Sequence, residues 1–242
     1  MKQILLLLIA ILAINTANAQ WWSSNKRIDG NGLIVTKVFN TSDYDKISGR
    51  NSLNIVLVEG EEGTITVEAE SNIMEHLEVE VKGDRLEIGI EDGYNINTRK
   101  GIQVRVPVKN ISSLSMAGSG DIRSLVKLKS RSMHISIAGS GDIDVEVTSE
   151  KLRVSIAGSG DVKLSGRTEH LDASVAGSGD ISAFNLKANN VDASIAGSGD
   201  VSVYCNGGEL QASIIGSGDL RYKGTTSKIK KSIMGSGDIT KM

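Results

Sequence analysis

The chain has 242 residues, with 27 Lys and Arg against 29 Asp and Glu and a formal net charge of -2. Proteins that bind nucleic acid or dock electrostatically on anionic lipid carry basic patches, so this nearly balanced charge argues against both partners. The 27 glycines and the 3% aromatic content indicate a core of Val, Ile, Leu and Ala in narrow, regular packing, rather than a large irregular pocket.

Residues 1–19 have the pattern of a secretory signal peptide. Lys2 precedes an apolar run from Ile4 to Ile14, and Ala17-Asn18-Ala19 supplies the small-x-small pattern that signal peptidase cleaves. The run is about half as long as a bilayer span, which disfavours a transmembrane anchor, and no later segment is apolar enough to span. We therefore predict an exported mature chain in the periplasm, on the outer membrane or outside the cell, with residues 20–33 as a linker.

Residues 34–111 are predicted to be a β-rich N-terminal part. Apolar and polar residues alternate over 64–70, 77–82, 86–90 and 102–108, which is the period of a strand with one buried face. Gly83-Asp84 between two of these segments predicts a hairpin. We expect this part to cap the structure that follows, because the unpaired strand edges at a solenoid end need cover. Whether it is a separate domain or continuous with that structure stays open.

The tetrapeptide Gly-Ser-Gly-Asp (GSGD) occurs seven times between residues 118 and 238, at spacings of 19 to 21 residues. Apolar residues stand two positions before and four positions after the first glycine of every copy, and a serine stands three positions before it. These even spacings are typical of strands that bury one face. The first and second glycines are Gly118 and Gly120, Gly139 and Gly141, Gly158 and Gly160, Gly177 and Gly179, Gly197 and Gly199, Gly216 and Gly218, and Gly235 and Gly237.

Residues 112–242 are therefore predicted to form an all-β, parallel β-solenoid with one GSGD per coil. Each repeat reads as a strand, a GSGD corner, a second strand and a polar turn, with turns at 165–167, 188–190 and 206–208. A single repeat cannot bury its apolar face, whereas stacked repeats share a continuous core. A propeller blade needs about 40 residues, twice this period, and the leucine-rich repeat pattern is absent.

The GSGD glycines are predicted to be structural turn residues, and the aspartates to form a ladder at about 4.8 Å spacing. Like charges so close repel each other, and either backbone N–H groups or calcium could offset the repulsion. Both alternatives stay open for the calcium candidates Asp121, Asp142, Asp161, Asp180, Asp200, Asp219 and Asp238.

No catalytic constellation, cofactor site or other metal site is predicted. His134 and His170 stand at different positions relative to the following glycine, and repeated serines without aligned histidines cannot form a Ser–His pair. Cys205 is the single cysteine, so it cannot form an internal disulfide, and we expect it to be a small, partly buried residue.

The segments Val67–Ile73 and Val81–Ile88, with the repeated GSGD, resemble the auto-transporter adhesin head GIN-domain family across most of residues 34–242. The resemblance implies an exported all-β, helix-like fold with no assigned reaction and a role in surface attachment.

We expect a non-enzymatic cell-envelope or secreted protein that has a binding or structural role and acts through its repetitive polar surface. Its partner would be a glycan or an envelope protein, and self-association through a solenoid face or the C-terminal end stays open. The alternatives are a calcium-stabilised envelope scaffold and a β-helix enzyme acting on polysaccharide.

Overall fold

The computed structural model describes residues 25–242. The predicted signal peptide, residues 1–19, lies outside the described residues. The predicted linker, residues 20–33, is described from residue 25 and includes a strand, Lys26–Asp29, that pairs in parallel with Tyr94–Asn97. In residues 25–242, no helix is long and apolar enough to cross a membrane.

The described residues form nineteen strands and one short helix. Their bounds are β1 Lys26–Asp29, β2 Ile34–Asn40, β3 Lys46–Asn51, β4 Asn54–Glu59, β5 Thr64–Glu70, α1 Ser71–Met74, β6 Leu77–Lys82, β7 Arg85–Ile90, β8 Tyr94–Asn97, β9 Gln103–Val108, β10 Ser113–Gly118, β11 Asp121–Gly139, β12 Ile143–Gly158, β13 Val162–Gly177, β14 Ile181–Gly197, β15 Val201–Asn206, β16 Glu209–Gly216, β17 Leu220–Thr225, β18 Lys228–Gly235 and β19 Ile239–Lys241.

Consecutive repeats pair in parallel, and each motif lies beside its equivalent in the next coil. Gly139 is in register with Gly158, and Gly158 is in register with Gly177. The same register continues from β14 through β16 to β18. The predicted parallel β-solenoid with one GSGD per coil is confirmed.

Two of the three predicted polar turns are wrong. Residues 165–167 lie within β13 and residues 188–190 lie within β14, which are continuous strands of 16 and 17 residues. The reason is the neighbouring coil: Gly166 stays paired with Val147 on one side and Leu186 on the other, so the ladder continues where local sequence predicts a turn. At 206–208 the prediction is correct, since β15 ends at Asn206 and β16 begins at Glu209.

The core is built from the apolar residues that recur at the same position in every repeat, and we call each such set of equivalent residues a column. Ile156 and Ile195 are each 2% exposed, whereas Ser155 is half-buried and Ser194 is exposed. The predicted inward and outward faces are therefore correct. In the last coil, the same column opens to solvent, and Ile233 is 44% exposed.

The N-terminal part is continuous with the solenoid. β3 pairs in parallel with β10, and β4 pairs in parallel with β11. Beyond this coil lie the antiparallel pairs β2–β5 and β6–β7, the second of which is the hairpin predicted at Gly83-Asp84. These antiparallel strands occupy the N-terminal end, where the cap was predicted.

Candidate binding surface at the GSGD corner

Each GSGD motif joins two strands of a coil and presents its polar side chains to solvent. In one copy, Ala157, Ser159 and Asp161 are exposed, while Gly160 is buried. This alternation recurs from coil to coil because the motifs are in register. The result is a stripe of serine and aspartate along the solenoid, which we call the GSGD corner. The residue before the motif is alanine in the first five copies, and it is the exposed Ile215 and Met234 in the last two.

Both glycines of the motif are required by the contact between coils. Gly158 has a φ of +138°, and a Cβ there would collide with the carbonyl oxygen of Gly139. A Cβ on Gly160 would collide with the carbonyl oxygen of Gly141. L side chains rarely adopt the φ of Gly158. At both positions the backbones of neighbouring coils also lie too close together to leave room for a side chain.

The corner's backbone polar groups are bonded between coils. The carbonyl oxygen of Gly139 accepts the N–H groups of both Ser159 and Gly160, at 2.9 and 3.1 Å. Equivalent pairs of bonds occur along the column. The corner is therefore a fixed part of the sheet rather than a loose loop.

The aspartates form the predicted ladder, and backbone donors lie within it. The N–H of Asp161 donates to Oδ1 of Asp142 at 2.9 Å, and the N–H of Asp180 donates to Oδ1 of Asp161 at 2.9 Å. Six such bonds of 2.7 to 3.1 Å link the seven aspartates from 121 to 238. Each bond places a backbone N–H dipole against a carboxylate oxygen, and this attraction offsets part of the repulsion between neighbouring aspartates in the ladder.

Calcium binding by the aspartates stays the alternative to backbone N–H donors. Within residues 25–242, no group of three or more His, Cys, Asp or Glu residues is placed to hold a metal ion. One basic side chain lies against the ladder: the Arg221 guanidinium is 3.2 Å from Oδ2 of both Asp200 and Asp219. Its positive charge offsets part of the repulsion between these two carboxylates.

The last aspartate is bonded differently from the others. Hydrogen bonds from the Thr240 hydroxyl and the Ile239 N–H, both 2.8 Å long, hold the pKa of Asp238 below its usual range. Six aspartates thus accept a bond from the next coil, while Asp238 accepts bonds from its own strand.

The two histidines of the repeats lie at different positions in their coils, and the cysteine lies in the core. His134 is in register with Arg153, and His170 is in register with Lys151, so the two histidines occupy different columns as predicted. Burial and the nearby Arg153 lower the pKa of His134. Cys205 is fully buried, and burial raises the pKa of its thiol to about 11.

The structure contains a degenerate copy of the GSGD motif that was not predicted from the sequence. Asn51 is in register with Gly118, and Asn54 is in register with Asp121, so Asn51-Ser52-Leu53-Asn54 takes the place of GSGD in the preceding coil. Asn51 has a φ of +67°, a conformation that asparagine tolerates better than most residues. The sequence signal for this copy was the shared serine and the asparagine at the first position. It was missed because 67 residues separate Asn51 from Gly118, whereas the GSGD copies follow each other at 19 to 21 residues.

A column in which three of four residues are basic was also not predicted from the sequence. Lys129, Thr148, Arg167 and Lys187 are in register on four consecutive coils. Each stands ten residues before the first glycine of the following motif, so an alignment extended backward from that glycine would have found them. We call these four residues the basic column.

Comparison with known proteins identifies a family. The family model described as "Putative auto-transporter adhesin, head GIN domain" matches residues 43–226. None of the curated proteins is significantly similar to the chain.

Several solved structures share the fold. A putative adhesin from Bacteroides fragilis NCTC 9343 is 26% identical, with a TM-score of 0.82 over 89% of this chain and 100% of its own. A putative lipid binding protein from Parabacteroides distasonis ATCC 8503 is 32% identical, with a TM-score of 0.75 over 90% of this chain and 100% of its own. A putative adhesin from Parabacteroides merdae ATCC 43184 is 22% identical, with a TM-score of 0.72 over 90% of this chain and 99% of its own, and shows a shared fold alone.

Proposed function

This chain belongs to the family of putative auto-transporter adhesin head GIN domains, and from that premise we propose that it is an exported cell-envelope or secreted protein that binds a partner through the GSGD corner and catalyses no reaction. The adhesin description of the family accords with an exported or surface protein.

The repetition of one exposed corner carries this proposal. Successive coils present the same serine and aspartate at the strand spacing of about 4.8 Å, as the register of Gly139, Gly158 and Gly177 requires. The first five copies add an alanine directly before the motif. Such a surface offers many equal, weak contacts. Weak contacts sum to useful affinity when a repeating partner, such as a glycan, engages several of them at once.

The proposal is tested by comparing one substitution with four. Asp161→Asn alone should change binding to intact cells or envelope polysaccharide only slightly, because six other GSGD aspartates remain. Replacing Asp142, Asp161, Asp180 and Asp200 together by Asn should reduce it sharply. Asn preserves an oxygen that can accept the next coil's N–H, so the ladder can survive the change, and circular dichroism checks the fold.

A matched control removes four acidic charges elsewhere. Glu59, Glu68, Glu75 and Asp92 are exposed and form no salt bridge within the described residues, so their replacement by the corresponding amides changes net charge equally. Binding should survive in this control.

An enzyme would show the opposite pattern, in which one single substitution abolishes function in a protein that is still folded. That result would contradict the proposal.

A further inference from the structure

The basic column leaves several positive charges without counter-charges. Lys129, Arg167 and Lys187 are exposed. None of the three has a carboxylate oxygen within 4.0 Å in the part of the chain that the structure describes, although fifteen salt bridges occur there. Arg167 and Lys187 lie in adjacent coils, in direct register, so their charges repel each other. Stacking them costs free energy unless an anion lies beside them.

The carboxylates that flank the column are already engaged. On the same outward face, two residues along each strand, Glu146 pairs with Lys127 at 2.6 Å and Glu150 pairs with Arg131 at 3.0 Å. Glu169 accepts a hydrogen bond from the side-chain amide of Asn189. Glu146 and Glu150 therefore compensate other cations, whereas the Asn189 amide is neutral and leaves Glu169 with its charge. Three cations of the column against this one carboxylate still leave a net positive charge.

The column lines an open groove. Lys127, Lys129, Thr148, Gly166, Arg167 and Lys187 form its lining. A concave surface with charges of one sign concentrates the electrostatic potential and attracts the opposite charge. Gly166 contributes backbone to this lining, and its φ of +110° and the nearby carbonyl of Val147 disfavour a side chain there.

We propose that this groove is a binding site for a linear acidic polysaccharide. The four coils of the basic column span about 14 Å along the solenoid axis at the ordinary strand spacing, and the cations stand in single file. A chain-like ligand with repeated carboxylate or sulfate groups can pair with several cations at once, and Thr148 adds a hydroxyl between Lys129 and Arg167. The site is separate from the GSGD corner and does not depend on the function proposed for it.

Two other polyanions fit the groove less well. Single-stranded nucleic acid is usually held by aromatic side chains on which bases stack, and none of the described residues in the lining is aromatic. An anionic bilayer presents a broad plane, whereas the cations here form a narrow file in a concave surface.

The test measures binding of the full chain to polygalacturonate and dextran sulfate, with neutral dextran as the reference, over a series of salt concentrations. Wild type should bind both acidic polymers, more weakly as salt rises, and should not bind dextran. The variant K129Q/R167Q/K187Q should bind about tenfold more weakly, or about 1.4 kcal/mol. Three solvent-exposed ion pairs can supply that difference.

The matched control is K100Q/R123Q/K151Q, which removes three positive charges from exposed residues outside the groove. These three residues form no salt bridge with any residue in 25–242. It should bind nearly as well as wild type. Equal loss in both triple variants, or no binding of acidic polymers by wild type, would overturn the proposal. Tighter, groove-dependent binding of single-stranded DNA or phosphatidylserine vesicles would overturn the polysaccharide assignment.

The same assay separates this site from the GSGD corner. The variant with Asn at Asp142, Asp161, Asp180 and Asp200 should retain its binding to polygalacturonate. Loss of that binding in the aspartate variant, with retention in the lysine and arginine variant, would assign the polymer to the corner and contradict the groove.

Discussion

The backbone N–H of Asp161 donates a hydrogen bond to Oδ1 of Asp142, one coil earlier, at 2.9 Å. The charged residue of each motif thus holds the motif of the next coil in place. The aspartates therefore have a structural role along the solenoid in addition to the binding role proposed for them.

Removing one ladder acceptor should destabilise the protein modestly. Asp142→Ala leaves the N–H of Asp161 without its partner and should lower the free energy of unfolding by about 1 kcal/mol. Asp142→Asn keeps an oxygen acceptor and relieves repulsion between neighbouring carboxylates, so it should stay close to wild type. Urea unfolding monitored by circular dichroism measures both. Equal losses for Ala and Asn would show that the charge, rather than the acceptor, matters.

The corner glycines should be much less tolerant of a methyl group than a glycine in open space. Gly158→Ala meets both the carbonyl of Gly139 and an unfavourable φ, and Gly160→Ala meets the carbonyl of Gly141. Gly93 has a φ of +87° with no atom near its hypothetical Cβ, so Gly93→Ala should cost only the backbone strain of about 1–2 kcal/mol. Thermal unfolding should rank Gly158→Ala as the most damaging. A Gly158→Ala protein as stable as Gly93→Ala would contradict the stacked-backbone account.

The inward and outward columns should differ strongly in free energy. Ile156→Ala and Ile195→Ala should each cost about 2–5 kcal/mol, because each leaves a cavity in the core. Ser155→Ala and Ser194→Ala, on the outward face, should stay within about 0.5 kcal/mol of wild type. Ile233→Ala is a control within the same column, since Ile233 is 44% exposed in the last coil and should cost less. Denaturant unfolding with similar losses for isoleucine and serine would mean that the faces are misassigned.

Glu70 should make the N-terminal part sensitive to acid. Burial acts to raise the pKa of Glu70, but hydrogen bonds from the Arg99 N–H, the Thr98 hydroxyl and the Gly32 N–H hold it below its usual range. A lowered pKa in the folded state stabilises the protein above the unfolded-state pKa of about 4.3. That stabilisation is lost as pH falls through the folded-state value.

Glu70→Gln should therefore lower the melting temperature at neutral pH and flatten its decline in acid. Melting temperatures from about pH 7 down to about pH 3, across the carboxyl titration range, compare the two proteins. Glu68→Gln, at an exposed neighbouring position, is the control and should follow wild type. A Glu70→Gln protein with the wild-type decline in acid would exclude this carboxylate as the source.

The sequence alone determined the solenoid and its buried face. Ile137, Ile156 and Val175 stand in one column because a strand period of two and a repeat near nineteen residues leave a single way to bury every coil. The GSGD glycines could be assigned to corners for the same reason. These features are local and repeated, so each copy supports the others.

Only the tertiary structure shows the features that depend on contacts between neighbouring coils. Pairing with Val147 and Leu186 keeps Gly166 in a continuous strand, although its local sequence is typical of a turn. Register alone places Asn51 beside Gly118, and it brings Lys129, Arg167 and Lys187 into one file. Glu70 contacts residues 38 positions before it and 29 positions after it. Such contacts join distant segments through inter-coil hydrogen bonds, and no local pattern encodes them.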